Sequence, residues 1–263
     1  MDSRTKDVLV VARHDDAIAL RLRRALEDRG CRVEYVDGAA ASRLFTIRVG
    51  SGSAEVNPSM PIFARASAWW LDQAPANCDE VFLRSEEYAT FWAAAALCSA
   101  PVVNRPGRLG AVNRITSGPI ARTLRLDSER ALDEVYASGP ELLEDGDNVW
   151  GEDANYISGP IASLTKKVPV RARTVSAQAL YEIVAVVGGR AFPATVDPRT
   201  ADLDLPARSI DLARRASVHF AAITWAVTDG GAVPVRLNAD PDENDIFYSW
   251  GEVADALCED LTQ

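Results

Sequence analysis

Two apolar runs, Ala221-Ala222-Ile223-Thr224-Trp225 and Val233-Pro234-Val235-Arg236-Leu237, flank the turn Asp229-Gly230-Gly231. Apolar segments of this length around a glycine-containing turn read as a β-hairpin. Its second strand runs into Asn238-Ala239-Asp240-Pro241, so the hairpin delivers polar side chains to one end of a sheet. Arg236 and Asn238 stand two residues apart and therefore share a pleat face. This element restricts the fold more than any other in the chain.

The remainder reads as alternating strands and helices. Val8 to Ala12 is a buried parallel strand, and Ala17 to Arg29 places Ile18, Leu22, Ala25 and Leu26 at helical spacing before Gly30. Cys31 to Val36 completes a βαβ unit over residues 7–37. Further strands are expected at Leu44–Val49, Pro61–Ala64, Val81–Leu83 and Pro101–Val103, with an Ala-rich helix over Glu86–Cys98. Beyond Gly107, glycine and proline recur and periodicity weakens. A helix is expected at Ser128–Ala137, strands at Val168–Val175 and Tyr181–Val187, a turn at Gly188-Gly189, and helices at Ser209–Phe220 and Gly251–Leu261. The pattern is that of an α/β protein.

At 263 residues and 48% hydrophobic, the chain can bury one large or two modest cores. A formal net charge of -10 argues against nucleic acid and anionic membranes as partners. No apolar run approaches a membrane span, and Met1 to Lys6 carries no signal-peptide core. The four cysteines lie far apart with only two histidines, which argues against a zinc site and for a reducing, cytoplasmic setting.

The hairpin resembles the C-terminal end of the ATP-grasp ligases. In that family one strand offers an Asp and the next a Glu-x-Asn, which together hold magnesium on ATP. Aligned on Asn238-Ala239-Asp240-Pro241, these positions fall on Thr224, Arg236 and Asn238. Tyr181 to Ala194 is similar to the family's strand-turn-strand, Asp197-Pro198-Arg199 to its Asp-x-Arg, and Phe82-Leu83-Arg84-Ser85 with Pro101 to Pro106 to its N-terminal domain. The resemblance, to glutathione-synthetase-like and peptide-modifying members, implies three parts. These are an N-terminal α/β domain over 1–106, a shortened central lid over 107–179, and an α+β subdomain over 180–263. The lid is expected to be incomplete, since few periodic apolar positions exist to build its sheet.

Such enzymes form an acyl phosphate with ATP and pass the acyl group to a nucleophile. The implied catalytic residues here are Arg236 and Arg199. Lys166, Lys167, Asn238 and Thr224 would contact the nucleotide. The family's phosphate-contacting Arg falls on Ile183, and its Asn-Lys pair on Asn113-Arg114. Exchanging two carboxylates for a hydroxyl and a guanidinium alters local charge by about three units, which argues against magnesium while leaving ATP open. Two functions stand side by side: a pseudoenzyme that binds a ligand or a partner protein, and an active ligase with an altered metal arrangement. A small molecule or a peptide is the implied substrate, and an oligomer is open.

Each candidate has a plainer alternative. Arg236 either meets phosphate or carboxylate, or pairs in solvent with Asp240 or Asp242. Asn238 either binds a ligand or makes the turn. Arg84, Asn104 and Arg105 follow expected strands at the carboxyl edge of a parallel sheet, where α/β proteins bind ligands; surface ion pairs are the alternative for the arginines. His14 is a substrate-contacting base or part of a helix cap. His219 is read as packed within a helix. The run Asp240, Asp242, Glu243, Asn244, Asp245 is a solvated loop or a relocated metal site.

Overall fold

The computed structural model describes residues 7–65, 77–106, 134–137, 149–153, 158–160, 170–174, 179–193, 203–228 and 230–263. Strands β1 (Asp7–Val11), β2 (Arg32–Val36), β5 (Ile62–Ala64) and β6 (Val102–Val103) form a parallel sheet in the order β2-β1-β5-β6. Helix α1 (Ala17–Asp28) follows β1. Asp16 caps it by accepting from the Ala19 amide at 2.9 Å, and Ile18, Ala19, Leu22 and Leu26 form its buried stripe. The short helix α2 (Gly38–Ser42) leads to a separate hairpin, β3 (Thr46–Gly50) with β4 (Ser53–Asn57).

The expected strand at Val81–Leu83 is instead the second turn of α3 (Cys78–Leu97). Asn77 caps this helix by accepting from the Glu80 amide, and Asp79 and Glu80 lie in its first turn. Three consecutive apolar residues carry no periodicity, so the capping chemistry decides the element.

In the central region, β7 (Glu134–Ala137), β8 (Val149–Asp153), β9 (Ser158–Pro160) and β10 (Val170–Thr174) pair antiparallel in the order β7-β10-β8-β9. A four-stranded sheet thus stands where an incomplete one was expected. Residues 134–137 are strand rather than helix. The strands are short and mix Val with Arg, Glu and Gly, so no single one shows a strong apolar alternation.

The last sheet runs β12-β11-β13-β14, all antiparallel: β11 (Leu180–Val187), β12 (Arg190–Pro193), β13 (Phe220–Thr228) and β14 (Gly231–Asn238). Helix α4 (Leu205–Arg215) packs Leu205, Leu212 and Ala213 against one face, carried by Val184, Val186, Ala221, Ile223 and Trp225. It stops short of the expected Phe220. Ser217 adopts a left-handed conformation and the Val218 amide returns to the Ala213 carbonyl, a six-to-one closure that ends the helix. The opposite face offers Ala185, Val187 and Phe220 to a core shared with β1, α1 and the final helix α6 (Trp250–Thr262). One apolar core therefore joins the parallel sheet to the last sheet.

Candidate functional site

On the face of β13–β14 that turns away from α4, Thr224 pairs with Arg236 and Ala222 with Asn238. Cross-strand partners point the same way, so Thr224, Arg236 and Asn238 share this face, as the hairpin spacing requires. The pairing then slips: Trp225 meets Pro234, leaving Val235 as the extra residue of a bulge. Pro234 has no amide hydrogen to give the ladder, and β14 is an edge strand where such a break is tolerated.

Arg236 is neither solvent-facing nor paired with Asp240 or Asp242. Its Nη1 donates to Asp245 Oδ1 at 2.9 Å, and the Asp245 side chain is only 5% exposed. Asn238 Nδ2 donates to Asp245 Oδ2 at 2.8 Å, and the Asp242 amide reaches the same oxygen at 3.2 Å. Asn238 Oδ1 accepts from the Asp240 amide, which fixes the turn after β14. Asp245 lies on α5 (Glu243–Ile246), a single turn with a reciprocal capping box between Asp242 and Asp245. The acidic run is thus a capped helix that plants one carboxylate between Arg236 and Asn238.

A second buried ion cluster adjoins it. Arg65, directly after β5, donates from Nε to Asp16 at 2.7 Å, and its Nη1 lies 2.8 Å from Asp240 and 2.9 Å from the Pro241 carbonyl. Burial opposes the guanidinium's charge, but Asp240 and Asp16 outweigh it and hold its pKa above the ordinary arginine value. Arg65 was not among the sequence candidates. The carboxyl-edge criterion applied to Arg84 and Arg105 would have found it, because it follows an apolar strand.

The other candidates disperse. Asn104, left-handed and buried, spends its whole amide on backbone. Nδ2 donates to the Phe220 and Ala239 carbonyls, and Oδ1 accepts from the His219 and Phe220 amides. Arg105 turns back to the carbonyls of Ala95, Ala96, Cys98 and Ala100, closing the C-terminal end of α3. Arg84 lies within α3 rather than after a strand, one turn from its ion-pair partner Glu80. His14 lies exposed in the loop after β1, beside the Arg13–Asp15 pair. His219 precedes β13 instead of lying in a helix, and bonds Asp260 at 2.7 Å. Asn113, Arg114, Lys166, Lys167 and Arg199 fall outside the described residues.

No protein-family model and no curated protein matches the sequence. Solved structures do. The structure of ATP-grasp ligase PsnB complexed with a minimal precursor superposes with a TM-score of 0.64 at 17% identity, covering 98% of this chain and 100% of that one. Macrocyclase MdnC of Microcystis aeruginosa, bound with precursor peptide MdnA, gives 0.66 at 13% identity over 98% and 99%. A Chryseobacterium gregarium RiPP-associated ATP-grasp ligase, in complex with ADP and a leader and core peptide, gives 0.63 at 11% identity over 98% and 96%. The chain has the ATP-grasp fold.

The four strands between 134 and 174 form one sheet, and the sequence resemblance assigns the magnesium-ligand positions to Thr224, Arg236 and Asn238. The residues present are a poor donor set for that ion. Magnesium takes hard oxygen ligands in octahedral geometry. Here the hairpin offers a hydroxyl, an amide and a guanidinium, and the nearest carboxylate already accepts from three donors. Among the described residues no group of three or more His, Cys, Asp and Glu could hold a metal.

Proposed function

We propose that this chain is a nucleotide- and peptide-binding member of the ATP-grasp fold whose hairpin uses an internal cation, Arg236, where a ligase would use magnesium. It would act as a non-catalytic ligand-binding or partner subunit in peptide modification. The Arg236–Asp245 ion pair on the Thr224 face carries this reading. A guanidinium can bind phosphoryl oxygens through a fork of donors, but it cannot bridge the β- and γ-phosphates as a divalent ion does. ATP would therefore be held without being activated for acyl-phosphate formation.

A peptide partner is supported by the solved structures of the same fold. PsnB was solved with its precursor peptide and AMPPNP, and also with a minimal precursor, Mg and ADP. Those same structures, with the four-stranded central sheet, favour a second reading: an active ATP-dependent carboxylate–amine ligase with a rearranged metal site. Titration of ATP with and without magnesium separates the two. Binding indifferent to magnesium, with no ADP released in the presence of peptide, supports the first. Magnesium-dependent binding with turnover supports the second and contradicts the first.

A further inference from the structure

A cleft of about 490 Å³ opens where the Gly188-Gly189 turn, the C-terminal end of α4 and the end of β6 meet. Ile210 and Arg214 of α4 line it, and α4 covers the sheet face opposite Thr224, Arg236 and Asn238, so the cleft is separate from the hairpin site. The imidazole of His219 is held at its edge. Nε2 bonds Asp260 at 2.7 Å, and the His219 carbonyl accepts from the Gly188 amide at 2.7 Å. Gly188 is left-handed, and a Cβ there would come within 3.1 Å of His219 Cε1, so glycine lets the turn close on the ring. A carboxylate can only accept, which places the ring hydrogen on Nε2 and leaves Nδ1 a lone pair. Nothing among the described residues donates to Nδ1, and the side chain is 38% exposed.

The charges around the cleft do not cancel. Arg105 gives Nη1 to three backbone carbonyls and Nη2 to a fourth, which leaves Nε–H and one Nη2 hydrogen unspent. It meets no carboxylate among the described residues. Asp211 is shared between Arg214 and Arg215, whereas Arg190 is shared between Glu259 and Asp260. With His219 neutral, the last two groups offset each other and the charge of Arg105 stands in excess.

We propose that this cleft is a second binding site, for a small aliphatic carboxylate that also carries a hydroxyl, an α-hydroxy acid. The carboxylate meets the unspent donors of Arg105 and cancels the single excess charge. The hydroxyl donates to His219 Nδ1, the one acceptor that the ring has left. The aliphatic body rests on Val102, Ile210 and Val218, which give the cleft its apolar wall. An amino acid fits less well, because its ammonium brings back the charge that its carboxylate removes. A phosphate dianion overshoots the excess and has no use for the apolar wall. The site is independent of nucleotide binding, since none of its residues belongs to the hairpin face.

Calorimetry with α-hydroxyisocaproate is the direct probe, beside isocaproate, which lacks the hydroxyl, acetate, which lacks the body, and orthophosphate. The hydroxy acid should bind wild type, isocaproate about fivefold more weakly for want of one neutral hydrogen bond, and acetate not measurably. Arg105→Met should abolish binding. Because Arg105 also closes the end of α3, Arg214→Glu is the companion variant: its side chain is 79% exposed, and it reverses the charge at the cleft without touching the core. It should weaken binding several-fold. The chain has two histidines, so His219 can be read in the unmodified protein. Long-range proton–nitrogen NMR should show its Nδ1 resonance move on adding the hydroxy acid and stay in place on adding isocaproate. Binding of the hydroxy acid with the His219 ring nitrogens unmoved, an equal affinity for isocaproate, or no binding of either acid overturns the proposal. So does tighter binding of orthophosphate, or an Arg214→Glu affinity no weaker than wild type.

Discussion

Asn104 and Phe220, 116 residues apart in sequence, are bonded as two residues of neighbouring strands would be. The Asn104 amide nitrogen donates to the Phe220 carbonyl at 2.9 Å, and its oxygen accepts from the Phe220 amide at 2.7 Å. The remaining capacity of the side chain goes to the His219 amide and the Ala239 carbonyl. A side chain thus continues the ladder at the start of β13 and fastens both hairpin strands to the end of β6. The side-chain amide of Asn104 is fully spent on this joint.

Replacing Asn104 therefore tests the joint. Asn104→Asp keeps the shape but turns both donors into acceptors facing two carbonyls. Asn104→Ala leaves buried backbone groups unpaired at about 1–3 kcal/mol each where water cannot reach. Both should lower urea midpoints, Asp at least as much as Ala. A midpoint within error of wild type for Asn104→Asp would refute the bonding described.

Arg65 is the second joint. Removing it takes the compensating positive charge from the carboxylates of Asp16 and Asp240, whose side chains are 16% and 15% exposed. Breaking a buried ion pair from one side costs about 3–5 kcal/mol. Arg65→Met should approach that loss in chemical denaturation. The triple variant with Asp16→Asn and Asp240→Asn should recover much of it, because the uncompensated charges are gone.

Alkaline pH should weaken the fold. Burial raises the Cys258 thiol from 9.0 to about 11 and pushes the Tyr35 and Tyr181 hydroxyls above their ordinary value. A group whose pKa is higher in the folded state contributes stability that is complete below the unfolded pKa and lost as pH rises through the folded one. Stability should thus decline from about pH 9 to 11, and Cys258→Ala should flatten the lower part of that decline. At pH 8 a thiol reagent should modify exposed Cys78 first and leave Cys258 untouched until unfolding. Native-state labelling of Cys258 at a rate like that of Cys78 would contradict its burial.

The sequence was most legible where one face is buried and the spacing is local. The unit β1–α1–β2 follows from Val8, Val10, Ile18, Leu22 and Leu26, and the hairpin from two apolar runs around glycine. It was least legible where stabilisation comes from distance. Arg65 meets Asp16 across 49 residues and the Pro241 carbonyl across 176, separations that leave no periodic mark. In the central sheet only β10 answers to an expected strand, Val168–Val175, because the other three are three to five residues long and chemically mixed. Asp245 was seen only as one of an acidic run. Its role rests on the capping box, which the Asp242-x-x-Asp245 spacing marks in the chain.

The central claim is that Arg236, held by Asp245, closes the hairpin to magnesium. Calorimetry of ATP with and without magnesium on the Thr224→Asp/Arg236→Glu double variant tests it most directly. Together with Asn238, the two new carboxylates would give the hairpin a set of hard oxygen ligands. The expected result is ATP binding that becomes magnesium-dependent in the double variant, gains little in Arg236→Glu alone, and is indifferent to magnesium in wild type. Magnesium-dependent ATP binding by the wild-type chain, or a folded double variant that binds no better with magnesium than without, would contradict it.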